Sequence, residues 1–77
     1  MLPAFLKSIF WSWDFSKLKK NVHKKTIIRQ IMEFGSFRDV AWMFDNYSKE
    51  EILNILKNFR TGDLSKKSRN FWNIILN

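Results

Sequence analysis

The stretch Ser65-Lys66-Lys67-Ser68-Arg69-Asn70 has the most chemistry to offer in this chain. It sets three cations and three small hydrogen-bonding side chains at the start of an apolar-periodic segment. At a helix N-terminus such a set meets phosphate, because the first backbone N–H groups point outward at the positive end of the dipole. A second basic run, Lys17, Lys19, Lys20, Lys24, Lys25 and Arg29, offers mainly point charges that hold a phosphate backbone without reading its sequence. With Arg60, the nucleic-acid candidates are Lys19, Lys20, Lys24, Lys25, Arg60, Ser65, Lys66, Lys67, Arg69 and Asn70. Catalysis has little to build with. One histidine, His23, no cysteine, two glycines and no phosphate loop place no base beside a nucleophile. The reading is therefore no enzyme and no small-molecule substrate. Scattered carboxylates without Cys give no metal-ligand cluster, and no cofactor motif is visible.

The cations outnumber the acids 14 to 7, a net charge of +7. That excess suits nucleic acid, an anionic membrane surface or an acidic protein partner. The acids concentrate between Glu33 and Glu51, so the middle of the chain is flanked by two basic regions. Seventy-seven residues make one domain. A chain this short buries only about 60–65% of the surface its unfolded form exposes. Eight Phe, four Trp and one Tyr compensate with large rings. Rings that stay exposed instead serve as anchors for a partner, and Trp11, Trp13, Phe15 and Trp72 are the candidates.

These residues need elements to position them, and the periodicity is helical throughout. The single domain 1–77 divides into an aromatic N-terminal segment, 1–15, and a helical core, 26–76. Leu2, Phe5, Leu6, Ile9 and Phe10 predict a short helix with Pro3 in its first turn, capping the bottom of the core. Residues 16–25 read as a solvated basic loop, with Leu18 and Val22 anchoring a turn and His23 at the surface. Ile27, Ile28, Ile31, Met32 and Phe34 predict a helix over Thr26–Phe34, starting as early as Lys24. Its outer face is Arg29, Gln30 and Glu33, and Gly35 closes it at the usual C-terminal glycine position. Ser36 caps the next helix, whose stripe is Phe37, Val40, Ala41 and Phe44; Trp42 wedges between helices. Ser48 and Glu51 form a capping box for a further helix carrying Ile52, Ile55, Leu56 and Phe59. Ser65 caps the last helix, Lys66–Leu76, with Phe71, Trp72, Ile75 and Leu76 forming its apolar face. The expected fold is an all-α, four- to five-helix bundle containing a helix-turn-helix-like pair at Gly35–Phe59.

That pair invites a DNA-reading interpretation, since the second helix of such a motif enters the major groove by its N-terminal residues. Here that end carries Glu50 and Glu51, which repel phosphates. The pair is better read as a platform that spaces the two basic regions, with Ser65–Leu76 the better reader. The N-terminal residues lack a basic n-region and a small-residue cleavage site. No stretch approaches the roughly 18 apolar residues of a membrane span. The expected location is the cytoplasm.

The markers in order are Phe10-Trp11 with Asp14 and Lys17-Leu18, Ile27-Ile28-Arg29 with Glu33-Phe34-Gly35, Asp39 and Trp42, Tyr47 to Ile52, Leu64-Ser65, and Asn70-Phe71-Trp72. This series resembles a family of short bacterial helical proteins of uncharacterised function, of an "FWD…NFW" type. Members are often encoded beside nucleotidyltransferase-like toxins of the AbiEii kind. The resemblance covers about residues 9–76. The chain departs from the pattern at Phe10-Trp11-Ser12-Trp13-Asp14, and at Ser48, where the family has glycine. Many relatives also continue past the last motif. The resemblance implies a helical fold and an antitoxin-like role: direct binding and neutralisation of a partner toxin, for which a nucleotidyltransferase-like enzyme is the candidate. DNA binding as a helix-turn-helix regulator is the alternative, and both are compatible in one protein.

Overall fold

The computed structural model describes residues 2–76, and the all-α bundle is what it contains. Four helices follow one another: α1 (Lys24–Phe34), α2 (Phe37–Asn46), α3 (Lys49–Asn58) and α4 (Lys66–Leu76). Two short 3₁₀ segments, Ala4–Ile9 and Phe15–Lys17, precede them. Met1 and Asn77, the ends of the domain read from sequence, lie outside the described residues.

α1 is the hub. It packs against α2, α3, α4 and the Ala4–Ile9 segment, and α2 and α3 each lean on α1 more extensively than on each other. The platform is thus α1, rather than the Gly35–Phe59 pair. Its sequence explains the role: Ile27, Ile28, Ile31 and Met32 are all buried, an apolar stripe wide enough to serve several neighbours. Gln30, expected on the outer face, is buried as well. Its amide N–H donates to the Ile9 carbonyl at 2.7 Å and its carbonyl accepts from Arg29 at 2.6 Å. A buried amide is tolerated when its groups are paired in this way. Here the pairing ties α1 to the N-terminal segment, where Leu2, Leu6, Ile9 and Phe10 complete the bottom of the core. Leu18 anchors the basic loop, whereas Val22 is exposed.

The turns follow from local chemistry. Gly35 closes α1 in an extended conformation (φ −71°), not the left-handed one expected of a terminal glycine. It is glycine for space: a Cβ there would lie 2.5 Å from the Ile31 carbonyl oxygen. The positive φ falls instead at Gly62 (100°), in the turn where the Asp63 N–H returns to the Arg60 carbonyl. At the head of α2 the Asp39 carboxylate accepts the Ser36 N–H at 2.9 Å. At the head of α3 the Ser48 hydroxyl accepts the Glu51 N–H at 3.1 Å. Each cap satisfies a donor the helix leaves unpaired.

Candidate functional site

The apolar stripe of α2 does not enter the core. Phe37 is 96% exposed, Ala41 and Phe44 are exposed, and Val40 is half-buried, while Met43 and Asp39 on another face go inside. α4 shows the same division: Trp72 and Leu76 are buried, whereas Phe71, Ile74 and Ile75 are exposed. Phe37, Val40 and Phe44 on one side, with Phe71 and Ile75 on the other, wall a groove of about 800 Å³. Ile31, Met32 and Trp72 lie beneath it. From sequence these stripes are the apolar faces of their helices. Periodicity finds a helix's apolar face, but it does not say whether a neighbour covers that face.

One end of the groove is polar. Glu33 reaches across from α1 to the head of α4. Its carboxylate accepts the Ser65 N–H at 2.7 Å, the Ser65 hydroxyl at 3.0 Å and the Ser68 hydroxyl. The Ser65 hydroxyl in turn accepts the Ser68 N–H at 3.2 Å. Partial burial pushes the Glu33 carboxyl up, but the Ser68 and Ser65 donors and the Arg29 charge outweigh it and hold the group below its ordinary value. The helix end expected to receive phosphate therefore already holds an internal anion. Lys67 lines the groove beside it, and Lys66 and Asn70 are exposed.

The four aromatic candidates separate. Trp72 belongs to the core at 4% exposure, its indole N–H donating to the Met32 carbonyl at 3.0 Å, so it is not free to anchor a partner. Trp11, Trp13 and Phe15 do come together, around a shallow cup of about 410 Å³. Trp13 meets Phe10 edge-on at 5.7 Å, and Trp11 sets its edge to Phe34 at 5.0 Å. Phe34 and Phe37 line a further depression, which extends apolar surface from Trp11 toward the groove. Trp42, half-buried, packs edge-on against Tyr47 at 5.8 Å. Tyr47 itself is buried and donates its hydroxyl to the Lys20 carbonyl at 2.8 Å. Burial, with the Glu51 charge nearby, pushes that phenol up to about 12.

Of the basic candidates, many are engaged within the chain. Lys20 donates to the Asn46 side chain at 3.1 Å, and Lys24 pairs with Glu51. The Lys24 hydrogen bond outweighs desolvation and holds the Glu51 carboxyl low. Lys25 lies 3.7 Å from Asp63 and over the Phe59 ring. Asp63 also accepts the Arg60 N–H at 2.8 Å. That bond, against desolvation and with the Lys25 and Arg29 charges, holds the Asp63 carboxyl low. Arg69 donates to the Arg60 carbonyl at 2.9 Å. The two basic regions thus meet around the 60–63 turn: the Lys25 and Arg29 charges act on the Asp63 carboxylate, and Arg69 binds the Arg60 carbonyl of the same turn. The Lys19 N–H donates to the His23 Nδ1 at 2.9 Å, giving the lone histidine a structural use.

Among the described residues no group of three His, Cys, Asp or Glu side chains is placed to hold a metal ion. No helix among them is long and apolar enough to cross a membrane. A family model described as a family of unknown function, DUF6922, matches residues 5–56, and the chain belongs to that family. The matched segment carries α1, α2 and most of α3; α4, the second wall of the groove, lies beyond it. No curated protein and no solved structure matches the chain.

Proposed function

We propose that this protein is a small, non-catalytic binding module of the antitoxin type, which holds a partner protein on its α2–α4 face and neutralises it. One observation carries the reading. Two amphipathic helices that contribute to the core leave Phe37 and Phe44 of α2 and Phe71 and Ile75 of α4 open to the same groove. Large exposed apolar patches on a small domain mark interaction surfaces, and aromatic side chains are the usual anchors of such interfaces. The resemblance to short proteins encoded beside nucleotidyltransferase-like toxins supplies the candidate partner. The acidic metal-binding centre expected of such an enzyme complements a chain of charge +7.

Co-expression with the product of the adjacent gene tests this. A stable complex that relieves growth arrest is expected from the native chain, and loss of both from Phe71→Asp. The reading fails if no complex forms, or if the complex ignores the groove substitution.

The meeting of both basic regions at the 60–63 turn, with Lys25 and Arg29 by Asp63 and Arg69 on the Arg60 carbonyl, favours nucleic-acid backbone binding as a second reading. It moves the contact away from the head of α4, where a phosphate would first have to displace Glu33. Duplex titration at two salt concentrations checks it. Arg60→Ala and Arg69→Ala should weaken binding and flatten its salt dependence; unchanged affinity and slope would remove this reading.

A further inference from the structure

We infer that the α2–α4 groove receives an amphipathic helix with acidic flanks, supplied by the partner protein. This rests on the binding-module reading and names the chemistry of what binds.

The walls choose the conformation. They are helix faces made of side chains, Phe37, Val40 and Phe44 opposite Phe71 and Ile75, and the groove's polar groups cluster at one end. A docked strand would bring a row of unpaired N–H and C=O groups against apolar walls, and among the described residues no sheet edge exists to pair them. A helix satisfies its own backbone and presents apolar anchors at i, i+3, i+4 and i+7.

The rim chooses the charge. Lys66 and Lys67 open α4 and have no carboxylate partner among the described residues. Lys67 lines the groove itself, whereas Arg38 lies over the Phe5 ring at 5.4 Å, in the neighbouring depression. The one carboxylate that lines the groove, Glu33, is already held by Ser65 and Ser68. An incoming helix with Asp or Glu beside its apolar stripe therefore meets unpaired cations, and a basic one meets repulsion. A second copy of this chain is disfavoured likewise, since two bodies of charge +7 would bring lysine to lysine. A lipid surface is disfavoured by shape, because a planar bilayer does not fill a concave groove.

Selection from a display library of helix-forming peptides, randomised at their surface positions, tests the inference. Expected are binders with apolar residues at helical spacing and Asp or Glu alongside. Phe71→Asp should cost them at least about tenfold in affinity, 1.4 kcal/mol at 25 °C. The pair Lys66→Glu and Lys67→Glu should weaken acidic binders and admit basic ones, and the native affinity should fall as salt rises. Both lysines are exposed, so this pair remains informative if the Phe71 variant folds poorly. Groove binders with neutral or basic flanks, or indifferent to the lysine reversal, would overturn the inference and leave the binding-module reading standing. A selection that yields no binders, or only binders insensitive to Phe71→Asp and Phe37→Asp, would overturn both. Retention on phosphatidylserine vesicles that is lost in Phe37→Asp would assign the face to lipid and overturn the inference.

Discussion

The two sides of α1 are finished differently. On the α3 side, Ile52, Leu56 and Phe59 are buried, Lys24 meets Glu51, and Lys25 meets Asp63. On the α2–α4 side, apolar residues of the same kind stand open, and Lys66 and Lys67 at the head of α4 have no carboxylate partner among the described residues. Composition does not separate the sides, since α2, α3 and α4 are all amphipathic. The difference lies in whether a second element covers each stripe. α3 buries Ile52, Leu56 and Phe59 and half-buries Ile55, while α2 and α4 share α1 as a floor and leave a gap between them. The closed side is packed core, and the open side presents the apolar surface proposed to hold a partner.

The comparison breaks most easily at Trp72, which belongs to the core although its neighbours line the groove. Trp72→Ala removes a buried ring and orphans the Met32 carbonyl, and should cost about 3–5 kcal/mol. Whole domains have only about 5–15 kcal/mol to lose, so a strongly lowered urea midpoint or an unfolded chain is expected. On the closed side, Ile52→Ala should cost about 2–4 kcal/mol by the same cavity argument. A loss below about 0.5 kcal/mol at Ile52 would erase the distinction between the sides.

Gly35 sharpens the comparison, because it sets how α2 leaves α1. Gly35→Ala pushes a methyl group against the Ile31 carbonyl, 2.5 Å away. A loss of about 1–3 kcal/mol follows from overpacking, read by thermal unfolding. A neutral Gly35→Ala would mean that the α1–α2 joint moves freely.

Smaller effects come from the carboxylates. Glu33 and Glu51 sit below their ordinary value of 4.5, and Asp63 below its 3.8. The folded state therefore takes up these protons less readily than the unfolded state. Their contribution is fully present above the ordinary carboxylate range and is lost as pH falls through the lowered folded values. The unfolding midpoint should hold from neutral pH down to about 5 and decline below it. Glu33→Gln should cost about 1 kcal/mol, a charged hydrogen-bond network discounted for its exposure, and should make the acid decline shallower. An acid profile identical to that of the native chain would show that the link between α1 and α4 does not contribute.

Much of this was legible in the sequence. The helices fall where apolar residues recur at helical spacing, and Ser36, Ser48 and Ser65 each stand at the head of one. Local spacing reaches only a few residues, and what it missed is long-range. Glu33 meets Ser65 across 32 positions, and nothing near Glu33 announces that partner. The stripe of α2 read only as an apolar face, because coverage by a neighbour is a property of the packed chain. Gln30 was different. It stands three residues after Ile27 on the buried face, so its spacing already pointed inward. Phe71 and Trp72 show the finest limit: adjacent aromatics in one helix differ by about 100° of rotation, enough to send one to the core and leave the other open.

The most direct test of the open side is the urea-unfolding free energy of the double variant Phe37→Asp with Phe71→Asp. If these rings are surface built for a partner, two aspartates are hydrated there, and stability should remain within about 1 kcal/mol of the native chain. A loss comparable to that of Trp72→Ala would contradict the account, because it would mean that the α2–α4 face is part of the core.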